Sequence, residues 1–404
     1  MHKTFWFQLH WFFGFVFGIL LLLIGVSGAV LSYEKEILQA INKDTYFVNI
    51  PQDKQILSTK EILEKYQTEN PDSKINSISF SSDKSSSVVL NIATKDPNNK
   101  RGESIYLNPY TAEVLPQIEG KDFFMFFFKL HRWLTFEGDT QWIGKNAVAL
   151  ATIACIILTI GGVIVYWSRV KNNFLKSFTF SFKSKNRAFL STMHSAVGMW
   201  VLPFYLLASL TGLYWSYGWY NDMLYKIAGV EKPQRMQQQA KPEGQAESEK
   251  PEGEKAQRTE NKAEKPEGEK VRAPKQEKSN FDEYQKAVDM FNVFVQKDYS
   301  KVTLRFPQKG SVYSFSYLDT NPDHYRASNS LELDVNSWQL LKHERYEDKP
   351  LNEQLMKSIL PLHTGEYFGI IGQIGMFIAS AAMSLFTITG FMLYFNRTRK
   401  KKKK

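Results

Sequence analysis

The sequence predicts an α-helical membrane protein with four transmembrane helices as a tandem parallel repeat and two small extracytoplasmic α+β domains. Three observations support this fold class. Four apolar segments are each about 20 residues or longer, the length needed to cross roughly 30 Å of hydrocarbon. Motifs in the first half of the 404-residue chain recur in the second half. The two long connections each combine one helix-like segment with several strand-like segments.

The apolar segments cover residues 11–31, 144–167, 199–219 and 369–395. Each contains Gly, Ser or Thr, small residues that let helices pack closely in a bilayer. The first apolar run is longer than the core of a typical signal peptide, and no small-x-small cleavage site follows Gly28. We therefore expect a retained first helix, with a cleaved signal peptide as the alternative.

Basic residues predict the orientation of the spans. The segment 169–190 contains several Lys and Arg and no acidic residue, and the sequence ends in NRTRKKKKK. Because positively charged loops stay in the cytoplasm, both termini and this segment are predicted to be cytoplasmic. The connections 34–128 and 220–361 are then outside. The net charge of +10 reflects this topology, so we expect no nucleic-acid partner.

The predicted boundaries follow these spans. The second outer domain contains a Lys/Glu/Pro-rich insert at 232–278, which is predicted to be a disordered tether, with weak metal or partner binding as the alternative. The order is helix 1 at 5–33, outer domain 1 at 34–128, an outer histidine segment with helix 2 at 129–168, a cytoplasmic loop at 169–190, helix 3 at 191–219, outer domain 2 at 220–361, an outer histidine segment with helix 4 at 362–396 and a cytoplasmic tail at 397–404.

An internal duplication relates the two halves. The end of the first span, SGAVLSY at 27–33, corresponds to TGLYWSY at 211–217 in the third. The end of the second, TIGGVIVYWSR at 159–169, corresponds to TITGFMLYFNR at 387–397 in the fourth. Because spans one and three run in the same direction, we expect a pseudo-two-fold axis along the membrane normal.

The outer connections repeat as well. One helix begins STKEILEKY, where Ser58 and Glu61 have capping-box spacing, and the other begins NFDEYQKAVDMF, with Asn280 as a candidate cap. Strand-like segments follow each helix. LNPYTAEVL at 107–115 and LDVNSWQLL at 333–341 are each predicted to turn into a final strand. Each domain is therefore predicted to be one helix over a small antiparallel sheet.

Four of the seven histidines occupy repeat-equivalent positions at the ends of the spans. His10 and His194 lie at the predicted cytoplasmic ends, and His131 and His363 at the outer ends. The pseudo-two-fold axis makes the members of each pair face each other. A b-type haem with bis-histidine ligation needs two such facing imidazoles between helices as its axial ligands. We therefore predict haem b, with two groups expected, and these four histidines as ligands of the haem iron.

Other roles for the histidines are open. Each one alone would often be a helix cap, but ionisable groups at membrane depth are costly and usually functional. A zinc or copper site is disfavoured because no compact set of Cys, Asp or Glu is nearby. The single cysteine, Cys155, lies in the second span and is expected to pack in the core. A proton relay would need acidic residues, which the spans lack.

Residues close to the histidines predict how a flat macrocycle is accommodated. Gly14 and Gly198 follow their histidines by four residues, and Gly369 follows the last one, so we expect them to give a haem clearance, with plain helix packing as the alternative. Arg132 is placed to pair with a propionate, with snorkelling as the alternative.

The outer histidines lie too far from the cytoplasmic ends of their spans for one straight helix. From His363 to Arg397 a helix would measure about 50 Å, more than a bilayer. We therefore expect helix breaks, in FEGDTQW after His131 and at Gly365 after His363.

The chain resembles the PepSY-associated transmembrane proteins, also called iron-regulated membrane proteins. The resemblance covers nearly the whole chain except the insert and rests on four motifs in order: HWFFGFVFGILLLLIGVSGAVLSYE, LHRWL, HSAVGMWVLPFYLLASLTGLYW, and LHTGEYFG with TITGFMLYFNR. The outer domains resemble PepSY domains, although LDVNSWQLL departs from their usual ending. The resemblance implies a multi-pass protein of the bacterial inner membrane with both termini cytoplasmic and periplasmic PepSY-like domains.

The resemblance also implies a di-haem reductase that releases iron from a ferric siderophore or another ferric chelate in the periplasm. Since the sequence contains no nucleotide-binding motif, we expect a separate cytoplasmic flavin reductase or a quinol as electron donor, and membrane lipid around the spans. The alternative is a non-enzymatic module that binds or regulates a protein partner, with structural histidines. A chelate permease is disfavoured because four spans leave little room for a polar pathway.

Overall fold

The computed structural model describes residues 2–94, 102–183, 186–233, 281–307 and 312–401. The insert predicted at 232–278, apart from its first two residues, and the candidate cap Asn280 lie outside this part of the chain. The helices are α1 (His2–Leu31), α2 (Glu34–Ile41), α3 (Lys43–Tyr46), α4 (Thr59–Glu69), α5 (Lys121–Trp133), α6 (Gln141–Asn172), α7 (Phe174–Ser177), α8 (Asn186–Gly212), α9 (Gly218–Ala228), α10 (Phe281–Val295), α11 (Leu351–Lys357), α12 (Ile359–Thr364) and α13 (Gly369–Lys401). The strands are β1 (Ile75–Ser81), β2 (Val88–Ile92), β3 (Glu103–Leu107), β4 (Tyr299–Arg305), β5 (Val312–Asp319), β6 (Asn329–Asp334) and β7 (Leu340–Glu344).

Four long helical segments are apolar enough to cross a membrane, which confirms the four predicted spans. They cover Thr4–Leu31, Gly138–Asn172, Asn186–Trp215 and Glu366–Asn396. Helix α1 packs against α6 and α13, and α8 packs against the same two helices. The spans therefore form a four-helix bundle in which α1 and α8 occupy opposite corners.

The middle of the bundle is filled by side chains from all four spans. Leu21, Ala151 and Cys155 are buried there, and Tyr205 and Met383 pack against them. The buried position of Cys155 agrees with its predicted packing role. The Tyr205 hydroxyl donates a hydrogen bond to a backbone carbonyl of α13, so this polar atom is satisfied within the bundle.

The strands of both outer connections form one antiparallel sheet in the order β3-β2-β1-β4-β5-β6-β7. At its centre β1 pairs with β4, with Ile78 opposite Leu304 and Phe80 opposite Val302. Helices α4 and α10 contact each other and share one hydrophobic core with the sheet. The sequence predicts two separate outer domains, but the β1–β4 pairing joins their strands into one sheet, because each half would otherwise leave an edge strand unpaired.

Local signals in these connections form as predicted. The Ser58 hydroxyl accepts a hydrogen bond from the Glu61 N–H, and the Glu61 carboxylate accepts one from the Ser58 N–H, which confirms the capping box. Both predicted turns form, but only the second leads into a final strand, β7; after the first, Val114 makes a single bridge to Leu107 in place of the predicted strand. Ala112 and Trp338 both have positive φ, 63° and 59°, and each N–H donates to the carbonyl four residues earlier.

Two helix breaks separate the histidine-bearing helices α5 and α12 from the spans that follow them. After α5, Leu134 and Thr135 have φ values of 51° and 63°, and α6 begins at Gln141. After α12, Gly365 has φ 86° and α13 begins at Gly369. The predicted breaks are confirmed. Helix α5 folds back onto α1 and α6, and α12 folds back onto α8.

Candidate functional site

The first histidine pair joins α1 to α8 at the end of the bundle that carries the basic loop, so we call it the loop-side pair. The imidazole centres of His10 and His194 lie 6.3 Å apart, with the ring planes at 75°. These two residues lie 184 positions apart in the sequence. The bundle geometry therefore brings together the two side chains that the predicted repeat relates.

The second pair joins α5 to α12 at the end of the bundle next to the sheet, so we call it the sheet-side pair. The imidazole centres of His131 and His363 lie 6.2 Å apart, with the ring planes at 66°. The two pairs thus have almost the same separation. Metal–nitrogen bonds of about 2 Å on each side of one metal ion would place two imidazole centres about 6 Å apart.

Hydrogen bonds fix the rings of the loop-side pair. His10 Nδ1 lies 3.0 Å from the Leu158 carbonyl oxygen, which can only accept, so Nδ1–H is the donor. His194 Nδ1 lies 2.7 Å from the Thr389 hydroxyl, and that hydroxyl donates to the Leu385 carbonyl. The hydroxyl therefore accepts from Nδ1–H. In both rings this leaves the Nε2 lone pair available.

The sheet-side rings are fixed in the same way. His131 Nδ1 lies 3.0 Å from the Ile24 carbonyl oxygen, and His363 Nδ1 lies 3.0 Å from the Ala208 carbonyl oxygen. Among the residues that the structure describes, no hydrogen bond involves Nε2 of any of the four histidines. An imidazole that donates Nδ1–H to a carbonyl and keeps Nε2 free has the usual arrangement of a metal ligand.

Two hydroxyl groups add to this arrangement at the sheet-side pair. The Ser27 hydroxyl lies 3.2 Å from His131 Nδ1, and the Thr211 hydroxyl lies 3.0 Å from His363 Nδ1. Each hydroxyl also donates to a carbonyl of its own helix, at 2.7 and 2.6 Å. Ser27 and Thr211 occupy corresponding positions in the two motifs of the predicted repeat. The two histidines therefore have equivalent hydrogen-bond acceptors, which sequence reasoning missed.

Three glycines lie against the edges of the imidazoles. A Cβ at Gly28 would lie 3.2 Å from Cε1 of His131, and a Cβ at Gly162 would lie 3.4 Å from Cε1 of His10. A Cβ at Gly212 would lie 3.3 Å from Cε1 of His363. Sequence reasoning did not select these glycines; the signal available was their place in the repeated SG, GG and TG motifs.

The glycines and the arginine that the sequence predicts to accommodate a haem lie in packing contacts, at a turn and over aromatic rings. A Cβ at Gly14 would meet Leu158 at 3.7 Å, and one at Gly198 would meet Phe386 at 3.8 Å, both ordinary packing distances. Gly369 has φ 63° and begins α13, so its conformation serves the turn. The Arg132 guanidinium lies over the rings of Phe128 and Trp133, at 5.6 and 5.2 Å.

Two further glycines set the position of the histidine-bearing helices. A Cβ at Gly144 would overlap the Trp133 carbonyl, and a Cβ at Gly372 would overlap the Gly365 carbonyl. Trp133 and Gly365 each lie two residues after a sheet-side histidine, and Gly144 and Gly372 are repeat-equivalent. The absence of a side chain at these points therefore lets each histidine-bearing helix fold back against the following span.

The environment of the sheet-side pair favours neutral imidazoles. Loss of hydration lowers the pKa of His131. Loss of hydration, together with the repulsion that would arise if His131 were also protonated, lowers the pKa of His363 to about 4. The nearby Arg132 lowers both pKa values further. Neutral imidazoles are the form that binds metal. All four histidines nevertheless keep some accessible surface.

A compact metal cluster of another kind is not seen in the described part of the chain. No group of three or more His, Cys, Asp or Glu side chains there is placed to hold a metal ion. Structural zinc sites usually take four protein ligands. Two facing imidazoles instead suit a metal whose remaining ligands come from a macrocycle.

The four spans and the sheet define a multi-pass membrane protein with a folded α+β region beside its helix bundle. A family model described as the PepSY-associated TM region matches residues 7–397, nearly the whole chain. The chain therefore belongs to this family, which confirms the resemblance found in its motifs. No curated protein matches the chain.

Proposed function

We propose that the protein is a transmembrane electron conduit that binds two b-type haems, one between the histidines of each pair. The observation that carries this proposal is the pair of imidazole separations, 6.3 and 6.2 Å, each with Nδ1 held by a neighbouring helix. His10 and His194 would ligate one haem iron, and His131 and His363 the other. Haem bound in this way supplies one-electron transfer.

The tandem parallel repeat belongs to the same proposal. Its support is that equivalent residues make equivalent contacts: Ser27 with His131, and Thr211 with His363. The pairing of β1 with β4 at the centre of the sheet, with two strands beyond β1 and three beyond β4, has the same two-fold character apart from one additional strand. Parallel repeats of this kind are related by an axis along the membrane normal.

The positions of the two pairs support transfer across the membrane. Ser27 lies 17 residues after His10, and Thr211 lies 17 residues after His194. At the rise of an α-helix, 17 residues measure about 25 Å, most of the thickness of a bilayer. The two pairs therefore lie near opposite ends of the bundle. The proposed membrane is the bacterial inner membrane, with the loop-side pair at its cytoplasmic face and the sheet in the periplasm.

The proposed acceptor is a ferric siderophore or another ferric chelate at the sheet side. One electron reduces Fe(III) to Fe(II), which is the poorer Lewis acid for hard oxygen ligands, so the chelate releases its iron more readily. The proposed donor at the loop side is a cytoplasmic flavin reductase or a quinol. The basic segment 169–190 supports the assignment of that side to the cytoplasm.

Absorption spectroscopy tests the cofactor. Protein purified from haem-replete cells is expected to be red, to show the α band of a b-type haem after reduction, and to contain two haems per chain. His10→Ala and His363→Ala should each lose about half of the haem because each removes one axial ligand. His343→Ala is the control, because that residue bonds to Tyr317 in the sheet and should keep both haems. Colourless wild-type protein would refute the conduit and favour a module that binds a protein partner.

Anaerobic reoxidation tests the acceptor. Dithionite-reduced protein, freed of excess reductant, is expected to lose its α band when a ferric siderophore is added, because an electron passes from haem iron to the chelated iron. The gallium complex of the same siderophore is the control, since it has the same shape and charge and accepts no electron. If the ferric complex leaves the spectrum reduced, the proposed acceptor is wrong while the conduit stands.

A further inference from the structure

The helix that carries His363 is too short to hold its own position. Helix α12 contains six residues, whereas isolated helices shorter than about 12 residues are marginal in water. Helical propensity therefore does not fix where His363 points. Contacts at the ends of α12 with the rest of the molecule must do so.

His324, in the loop between β5 and β6, makes such a contact before α12. It is 5% exposed. Its Nδ1 accepts a hydrogen bond from the Arg326 N–H at 3.1 Å, so Nε2 carries the proton. That Nε2–H donates to the Ser358 hydroxyl at 2.7 Å. Ser358 is fully buried, directly precedes α12, and donates in turn to the Gln354 carbonyl at 2.6 Å.

The same imidazole also contacts the chain after α12. The His324 ring packs against the ring of Tyr367, with centres 5.6 Å apart. The Tyr346 hydroxyl lies 3.1 Å from His324 Nε2 and 3.0 Å from the Ser358 hydroxyl, and the Tyr346 N–H donates to Asn329 at the start of β6. One buried side chain thus connects the sheet to the segments on both sides of α12.

The first half of the chain holds its histidine differently. Helix α5 is 13 residues long, and Phe124 anchors it in a small core with Leu38 and Ile118. The residue equivalent to Ser358, five positions before the histidine, is Phe126, which is 53% exposed. Among the described residues, therefore, only the segment before the helix that carries His363 is hydrogen-bonded to the sheet in this way.

We propose that His324 is a positioning residue for His363, which holds α12 so that the sheet-side pair keeps its geometry. The effect on a bound haem rests on the proposed function, whereas the effect on α12 does not. Since His324 belongs to the β5–β6 loop, any change in that loop is passed to the sheet-side pair and not to the loop-side pair.

Two measurements on the purified full-length protein test this inference. The variants are His324→Leu, which removes every hydrogen bond of the imidazole, Ser358→Ala, which removes the acceptor, and His324→Gln, which keeps an N–H donor. Hydrogen exchange of residues 359–364 is expected to rise at least about tenfold in His324→Leu, by a similar factor in Ser358→Ala and by less in His324→Gln. The electron paramagnetic resonance signal of one of the two haems is expected to shift, while the other stays unchanged.

His343→Leu is the matched control for His324→Leu, because it removes the imidazole hydrogen bond to Tyr317 in the sheet without touching α12. Unchanged exchange and unchanged haem signals in His324→Leu and Ser358→Ala would overturn the inference, and so would equal changes at both haems. If His324→Leu does not fold, the other two variants decide. If the wild-type protein contains no haem, the proposed function fails, and hydrogen exchange alone decides the positioning role.

Discussion

Each histidine of the two pairs bonds to the protein through Nδ1, and Nε2 makes no hydrogen bond within the described part of the chain. The Nδ1–H group of His131 or His363 meets a backbone carbonyl and a hydroxyl, both on the helix that its own helix packs against. The carbonyl fixes the tautomer, and the second acceptor narrows the rotation of the ring. Such partners usually change metal affinity by about 10- to 100-fold.

A substitution at Thr211 tests the hydroxyl group. Thr211→Val keeps the shape of the side chain and removes the acceptor, while the Ala208 carbonyl still accepts from His363. Because one acceptor remains, we expect an effect at the lower end of the 10- to 100-fold range for metal affinity. The measured result should be about tenfold faster loss of one of the two proposed haems to apomyoglobin. Thr152→Val is the control, since that hydroxyl bonds only within its own helix among the described residues. Equal haem loss from both variants would contradict a role for the hydroxyl.

The histidine pairs could be predicted from the sequence, but their partners could not. The repeat relates His10 to His194 without any knowledge of packing. The acceptor at Leu158 is a backbone carbonyl, which every residue carries, so only the rotation of α6 about its axis selects it. The contact of Gly28 with an imidazole depends on where α5 folds back, which the sequence does not specify.

At the scale of elements, the fold-back of α5 and α12 determines the sheet-side pair. Both helices end in a turn with positive φ and return to the following span at a glycine, Gly144 or Gly372. The spans and breaks were predictable because hydrophobic length and turn residues are local features. The pairing of β1 with β4 was not predictable, since the two strands are more than 200 residues apart and neither sequence specifies its partner.

Gly372→Ala tests the fold-back. The new Cβ would overlap the Gly365 carbonyl, so α12 must move, and overpacking of this kind costs about 1–3 kcal/mol. We expect the variant to lose the haem proposed at the sheet-side pair and to keep the one proposed at the loop-side pair, measured by haem content and by paramagnetic resonance. Gly390→Ala lies on the same helix with no atom within 4 Å of the new Cβ and should retain both haems. A fully loaded Gly372→Ala protein would show that the close approach does not position the histidine.

On the scale of the whole molecule, the chain has two chemically different ends. One end of the bundle carries the basic segment 169–190, and the other joins the seven-stranded sheet. The proposed direction of electron flow depends on which end faces the cytoplasm. The sequence predicts this from charge alone, because the positive-inside rule concerns insertion and leaves no trace in the packing of the folded bundle.

Cysteine labelling tests the orientation directly. Cys155 is the only cysteine and is buried, so the wild-type protein should react with no membrane-impermeant maleimide and serves as the control. Asp72→Cys places an exposed thiol in the turn between α4 and β1, and Ser181→Cys places one in the basic loop. In intact spheroplasts we expect labelling of Asp72→Cys alone, and labelling of Ser181→Cys only after the membrane is permeabilised. The opposite pattern would place the sheet in the cytoplasm, where an acceptor outside the cell membrane could not reach the sheet-side pair.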